Sequence, residues 1–217
     1  MRSKLLYHIL LRSLQDDFES SALCRVLMSL GGAIRASIKH FDSLPSNAPG
    51  DYIEAVIDDE TEKIEDLLGV AFIICQIYIT KIISAVMSLR KRANGRDSID
   101  LTTTNGEKIG IMQFGSSQTS TQKYSPVTML DAFANYYKHR DEWKGDWNIL
   151  TGRAAKTVKI IASAGASRGS TGNLRTGATY LKNSNYHSFH VFVDYLSEWQ
   201  NKLTAAYKEE LKEKRLL

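Results

Sequence analysis

Leu67 to Leu89 reads LLGVAFIICQIYITKIISAVMSL, and whether this run crosses a bilayer or fills a core decides what kind of protein the chain makes. Its length alone would span a membrane. Gln76, Thr80, Lys81 and Ser84 interrupt it, however, and no second run of this kind occurs in the chain. It therefore reads as the central core helix of a soluble bundle, with Lys81 carrying its charge to the surface on a stem laid along apolar neighbours. The helical pattern extends outward to cover 52–94, with a shorter separate helix over 51–60 as an alternative start. It ends in LRKRANGR, where Arg90, Lys91 and Arg92 precede Gly95. Cations there complement the helix dipole and act as a stop signal. The same three side chains could also meet RNA phosphates.

The rest of the composition agrees with a soluble protein. Of 217 residues, 43% are apolar and 24% charged, with only three prolines, which predicts a single helical domain over 1–217. Lys and Arg number 28 against 24 Asp and Glu, a net charge of +4, too small to select nucleic acid or an acidic partner. Cys24 and Cys75 lie inside apolar helical patterns without a CxxC spacing, as buried reduced thiols do. The opening MRSKLLYHILLRSLQDD is basic, but His8 and Arg12 break its apolar run and no small-residue cleavage site follows. A cytoplasmic location is expected on that ground, with no membrane partner.

Upstream of the central helix, periodicity predicts helices over 3–19 and 21–41, the second carrying Gly31 and Gly32 as a kink, a close crossing or a break. SLPSNAPGD, Ser43 to Asp51, is a turn-rich connection. Downstream, Ser98 to Thr104 and Glu107 to Phe114 alternate around Asn105-Gly106, a pattern that predicts a β-hairpin insertion over 98–114. A polar loop, 116–123, follows. Helices are then predicted over 125–143, 151–164, 173–182 and 188–214, with a flexible basic loop at 165–172 that lacks the spacing of a phosphate-binding loop. The expected fold is mainly α, an up-and-down helical bundle of about five helices with a β-hairpin insertion.

Candidate chemistry concentrates in SPVTMLDAFANYYKHRDEWKGDW, Ser125 to Trp147. Ser125-Pro126 is a helix start, since Ser caps a free N–H and Pro at the first position sacrifices no needed donor. Val127, Leu130, Ala134 and Tyr137 fall on one face, and Asp131, Asn135, His139 and Glu142 on a neighbouring polar stripe. Histidine is the side chain that ordinarily titrates nearest neutrality. His139 could therefore carry protons in attack of an RNA 2′-hydroxyl on its phosphate, with Lys138 or Arg140 as the stabilising cation and no metal required. The competing explanation has Phe133, Tyr136, Tyr137, Trp143 and Trp147 as core aromatics and the charges as helical pairs. His187 and His190 are spaced to share a metal but lack a third ligand, and the run Asp58, Asp59, Glu60, Glu62 reads as a solvated helix start. HExxH is absent. No metal or other cofactor is expected.

The order of helices over about 50 to 210, with an Ala-Asn-x-x-Lys-His segment downstream of a long apolar helix, resembles the HEPN superfamily. Its members are helical nucleic-acid-associated proteins, many of them dimeric metal-independent ribonucleases of toxin and antiviral systems. Their signature is Arg, a polar residue such as Asn, three variable residues and His. Laid on this chain, Asn135 and His139 match and Ala134 stands at the Arg position. The departure leaves three explanations: a non-catalytic or divergent member, a cation supplied instead by Arg140 or Lys138, or an engineered substitution. The resemblance implies a homodimer that cleaves or binds RNA around His139, Asn135, Lys138 and Arg140, with Arg90, Lys91 and Arg92 on the nucleic acid. The alternative is a non-enzymatic module that binds a protein partner through the 98–114 hairpin and the adjacent loop.

Overall fold

A computed structural model of the chain describes residues 2–15, 17–116 and 123–217. Eight α-helices are present among them: α1 (Arg2–Leu14), α2 (Ala22–Asp42), α3 (Gly50–Asp97), α4 (Lys108–Gln113), α5 (Pro126–His139), α6 (Gly152–Ala162), α7 (Asn173–Tyr180) and α8 (His190–Glu213). The mainly α expectation holds. α3 is one unbroken helix of 48 residues, about 72 Å long at the helical rise, so the shorter helix considered at its start does not form separately.

The other helices are laid along this mast. Phe18 follows α1 and meets Tyr78 ring to ring at 4.5 Å, while Tyr7 donates to Asp97; α1 thus runs antiparallel along the far half of α3. α2 runs the same way along the near half, with His40 at its end beside Glu60. On another side α5 is also antiparallel: Asp131 meets Gln76, and Arg140 meets Asp66. Phe72 sits at the centre, 5.3 Å from the Phe133 ring and 5.5 Å from that of Phe192 on α8. Leu68, Cys75, Ile79, Ile82, Val86 and Leu89 are buried with it, each large side chain contributing about 1.5–3 kcal/mol. The apolar window of α3 is long enough to cross a membrane, and 50% of it is buried inside the fold. Cys24 and Cys75 are free and buried, as expected, and burial pushes both thiols above their ordinary range.

Gly31 resolves one of the alternatives. α2 runs through it without a break, and a Cβ there would lie 2.2 Å from the backbone carbonyl oxygen of His187, whereas Gly32 faces open space. The glycine marks a close crossing between α2 and the segment before α8.

The predicted hairpin over 98–114 is not formed: there is no strand among the described residues. Residues 99–105 are irregular, and 108–113 are the short helix α4. The Asn105-Gly106 turn does occur, with Gly106 at φ +75° and Asn105 Oδ1 accepting from the Glu107 N–H, but it starts a helix instead of joining strands. The reason is tertiary. Glu210 on α8 accepts from the backbone N–H and hydroxyl of both Thr102 and Thr103, and Arg90 donates to the carbonyls of Leu101 and Thr104. The groups a second strand would have satisfied are already bonded to α8 and α3. Burial by itself would raise the Glu210 carboxyl, but the four donors outweigh it and hold it below its ordinary value. Of the expected polar loop at 116–123, residues 117–122 lie outside the described residues.

Candidate functional site

α5 begins as its sequence dictates. Ser125 Oγ accepts from the Thr128 N–H at 3.1 Å and donates to the Met112 carbonyl at 2.7 Å, with Pro126 at the first position. The helix ends at His139 instead of near Trp143; Glu142 and Trp143 donate back to the His139 carbonyl through a tight turn. Val127, Leu130 and Ala134 face the core, and Tyr137 lies flat against α3 at Gly69, where a Cβ would come 2.2 Å from the ring.

The polar stripe expected along α5 splits into two parts. Asp131 is buried and accepts from Gln76 Nε2 at 2.8 Å and from Lys108 Nζ at 2.9 Å, while Asn135 Nδ2 donates to it at 3.3 Å. Lys138 Nζ donates to Gln76 Oε1 at 2.6 Å. Asn135 and Lys138 therefore belong to a closed hydrogen-bonded seam that ties α3, α4 and α5 together. Gln76, which interrupts the apolar run in the sequence, is its hub.

His139 and Arg140 point elsewhere. The His139 ring is half exposed, with Nδ1 3.0 Å from Glu142 Oε1 and its face stacked on Trp143 at 5.5 Å. Arg140 donates to Asp66 Oδ1 at 2.8 Å and covers the Tyr137 ring at 4.7 Å. Ala134, at the position laid on the motif Arg, has no exposed surface.

The basic cluster at the end of α3 does not gather around His139. Arg90 is 24 residues along α3 from Asp66, about 36 Å at 1.5 Å per residue. Arg90 is committed to the carbonyls of Leu101 and Thr104, and Arg92 Nε lies 3.4 Å from Asp97. Lys91 is the exposed member of the three. His187 and His190 serve local roles: the His187 carbonyl abuts Gly31, and His190 opens α8. Among the described residues no group of three His, Cys, Asp or Glu is placed to hold a metal.

A cleft of about 680 Å³ opens beside the end of α5, and sequence reasoning missed it. One wall is aromatic: the rings of Trp143 and Trp147 lie 6.4 and 6.3 Å from that of Tyr136. These three are half buried and line the cleft, with Tyr136 and Trp147 also packed against the core, so the core-aromatic explanation holds for those two in part; Phe133 alone of that set is fully buried. The opposite wall is the first half of α3. Here the acidic run separates by direction. Asp59 pairs with Lys63 at 2.6 Å, and Glu60 is buried beside His40 at 2.7 Å and Lys63 at 3.1 Å. Asp58 and Glu62 face the cleft, and neither has an ion pair or hydrogen bond among the described residues. The two cations on the lining, Arg140 and Lys144, are matched by Asp66 and Asp141.

The third wall is the loop before α7, expected to be flexible and found anchored. Asn173 accepts from the Ser167 N–H and donates from Nδ2 to the Ser167 carbonyl and to the Tyr136 hydroxyl. Glu65 ties the start of α7 to α3, accepting from the N–H groups of Leu174 and Arg175 and from Arg175 Nε at 2.9 Å. Burial pushes the Glu65 carboxyl up, against the opposing pull of Arg175 and these amides. Two signals for the cleft exist in the sequence: Tyr136, Trp143 and Trp147 recur at steps of seven and four, and Asp58 and Glu62 stand one turn apart. Nothing in the spacing shows that the two sets oppose each other.

No protein-family model, curated protein or solved structure matches this chain.

Proposed function

We propose that the chain is a non-enzymatic interaction module whose working surface is the cleft between Asp58 and Glu62 on α3 and the rings of Tyr136, Trp143 and Trp147, and that its partner is a basic segment of another protein. The observation that carries this is the pattern of pairing. Arg140, Lys144, Arg90 and Arg92 are matched by carboxylates or carbonyls of the chain itself, whereas Asp58 and Glu62 are left without a partner. A surface built to hold phosphates presents unspent cations; this one presents unspent carboxylates.

A second reading keeps RNA as the partner, and one observation favours it. The Glu142 carboxylate beside His139 Nδ1 and the Trp143 ring beneath would orient the imidazole as a proton carrier for 2′-hydroxyl attack. The two readings separate in one experiment. Fluorescence anisotropy of a labelled lysine- and arginine-rich peptide and of a labelled single-stranded RNA is measured side by side, with RNA integrity followed in EDTA for the parent and for His139→Ala. Peptide binding without RNA turnover is the expected result. Turnover that His139→Ala abolishes would replace the module with a ribonuclease.

A further inference from the structure

We infer that the group the cleft accepts is the guanidinium of an arginine side chain. This rests on the interaction-module reading and narrows it to one chemistry.

The geometry has three parts. First, the aromatic wall is a corner, not a flat plate: Tyr136 meets Trp147 nearly edge-on at 72° and Trp143 at 47°. A planar cation can slide against one ring face while its edge stays open to other donors and acceptors. Second, Asp58 and Glu62 are one helical turn apart on the same side of α3, about 5–6 Å between Cβ atoms. Two carboxylates at that separation can accept from both sides of a guanidinium fork, which carries five N–H donors in one plane. Third, the lining cations are already neutralised locally, so the charge facing the cleft is that of the two free carboxylates.

The same neighbourhood holds one guanidinium group of the chain itself between a ring and a carboxylate, and a second on a carboxylate alone. Arg140 lies over the Tyr137 ring at 4.7 Å while Nη2 bonds Asp66 at 2.8 Å. Arg175 is held by the buried carboxylate of Glu65 at 2.9 Å. A ring face with a carboxylate beside it is thus how this corner of the fold holds Arg140, and the cleft lining offers the same two kinds of group in the rings of Tyr136, Trp143 and Trp147 and the carboxylates of Asp58 and Glu62. Lysine fits less well, because its ammonium is a compact, strongly hydrated point charge with no planar face to lay on an indole. A phosphate would meet the two carboxylates head-on.

The test uses the full chain and three fluorescein-labelled nonapeptides of identical length: alternating Arg-Gly, the same with Lys for Arg, and the same with citrulline, the neutral isostere of arginine. Their dissociation constants are measured by anisotropy for the parent, for the pair Asp58→Asn with Glu62→Gln, and for Trp143→Ala, with a thermal melt of each variant. The expected result is roughly tenfold or more tighter binding of the arginine peptide than of either other. The carboxylate pair and Trp143→Ala should each lose that preference while the carboxylate pair melts at the parental temperature. Equal binding of the arginine and lysine peptides, with the carboxylates still required, overturns the arginine assignment and leaves the interaction module standing. Equal binding of the citrulline peptide removes the cation altogether and overturns the inference. Failure of all three peptides overturns both the inference and the module.

Discussion

α3 and α5 meet along one interface with two different ends. At the Gln76 end, Asp131, Asn135, Lys108, Lys138 and Gln76 form a chain in which every member has a partner. At the opposite end, about 21 to 27 Å along α3 by the helical rise, Asp58 and Glu62 face three half-buried rings and have no partner of their own. Both ends set polar side chains of α3 beside α5 or the segment that follows it, so polarity alone does not mark function. A buried polar group left unmatched destabilises the fold by about 1–3 kcal/mol, so the seam must close on itself. An exposed carboxylate remains bound to water and can stay open for a ligand. What distinguishes the site from the scaffold is the combination of an open cleft with unspent charge.

The strongest way to break this contrast is to place a charge where the seam meets the core. Ala134→Arg puts a guanidinium at a position with no exposed surface, between the buried Phe133 and the Gln76 seam. Overpacking and the burial of an unpaired cation both act there, and the loss should exceed about 4 kcal/mol. Urea denaturation followed by circular dichroism would register this as an unfolded or barely folded chain. A variant as stable as the parent would mean that position 134 can reach solvent, and with it the motif Arg whose place Ala134 takes.

A smaller effect sharpens the comparison itself. Asp131→Ala leaves Gln76 Nε2 without its side-chain acceptor and Lys108 without its counter-ion. With Lys108 half exposed, the loss should be about 2–3 kcal/mol. Asp58→Ala, the removal of the same carboxylate from the other end, should stay within about 0.5 kcal/mol. Equal losses in chemical denaturation would show that Asp58 has a structural partner and that the cleft is not the open end.

This division was only partly legible in the sequence. The helical run of α3 and the Ser125-Pro126 start of α5 are local patterns, and the structure has both. The alternation around Asn105-Gly106 is local too, yet it misled, because Glu210 and Arg90, distant in sequence, satisfy the backbone that a hairpin would have paired. Asn135, His139 and Lys138 look like one functional group at helical spacing. Gln76 takes Lys138, Asp131 takes Asn135, and only His139 is left outside the seam, stacked on Trp143. The cleft itself joins residues near 60, 140 and 170 through tertiary packing that no single stretch encodes. The acidic run 58–62 is the sharpest case: four carboxylates that read as one solvated face divide into a pair at the cleft, a surface ion pair, and one buried group.

That buried group gives the smallest effect and a last check on the comparison. Glu60 lies between Asp58 and Glu62 in sequence, yet it is buried beside His40 and Lys63. Hydrogen bonds from His40 and Ser37, with Lys63 nearby, lower its carboxyl from 4.5 to about 2. A carboxyl that is more acidic in the folded state contributes stability that is complete above its unfolded value and disappears as pH falls through the folded one. The Glu60 contribution should therefore be intact above pH 4.5 and fade between there and about pH 2. Glu60→Gln should flatten the fall in urea-derived stability across that window and weaken the fold at neutral pH by less than Asp131→Ala does, because His40 and Lys63 are half exposed and screened. The pair Asp58→Asn with Glu62→Gln should leave the slope unchanged. A flattening by that pair equal to the one from Glu60→Gln would show that the cleft carboxylates are as engaged in the fold as their neighbour, and the difference between the two ends of the interface would vanish.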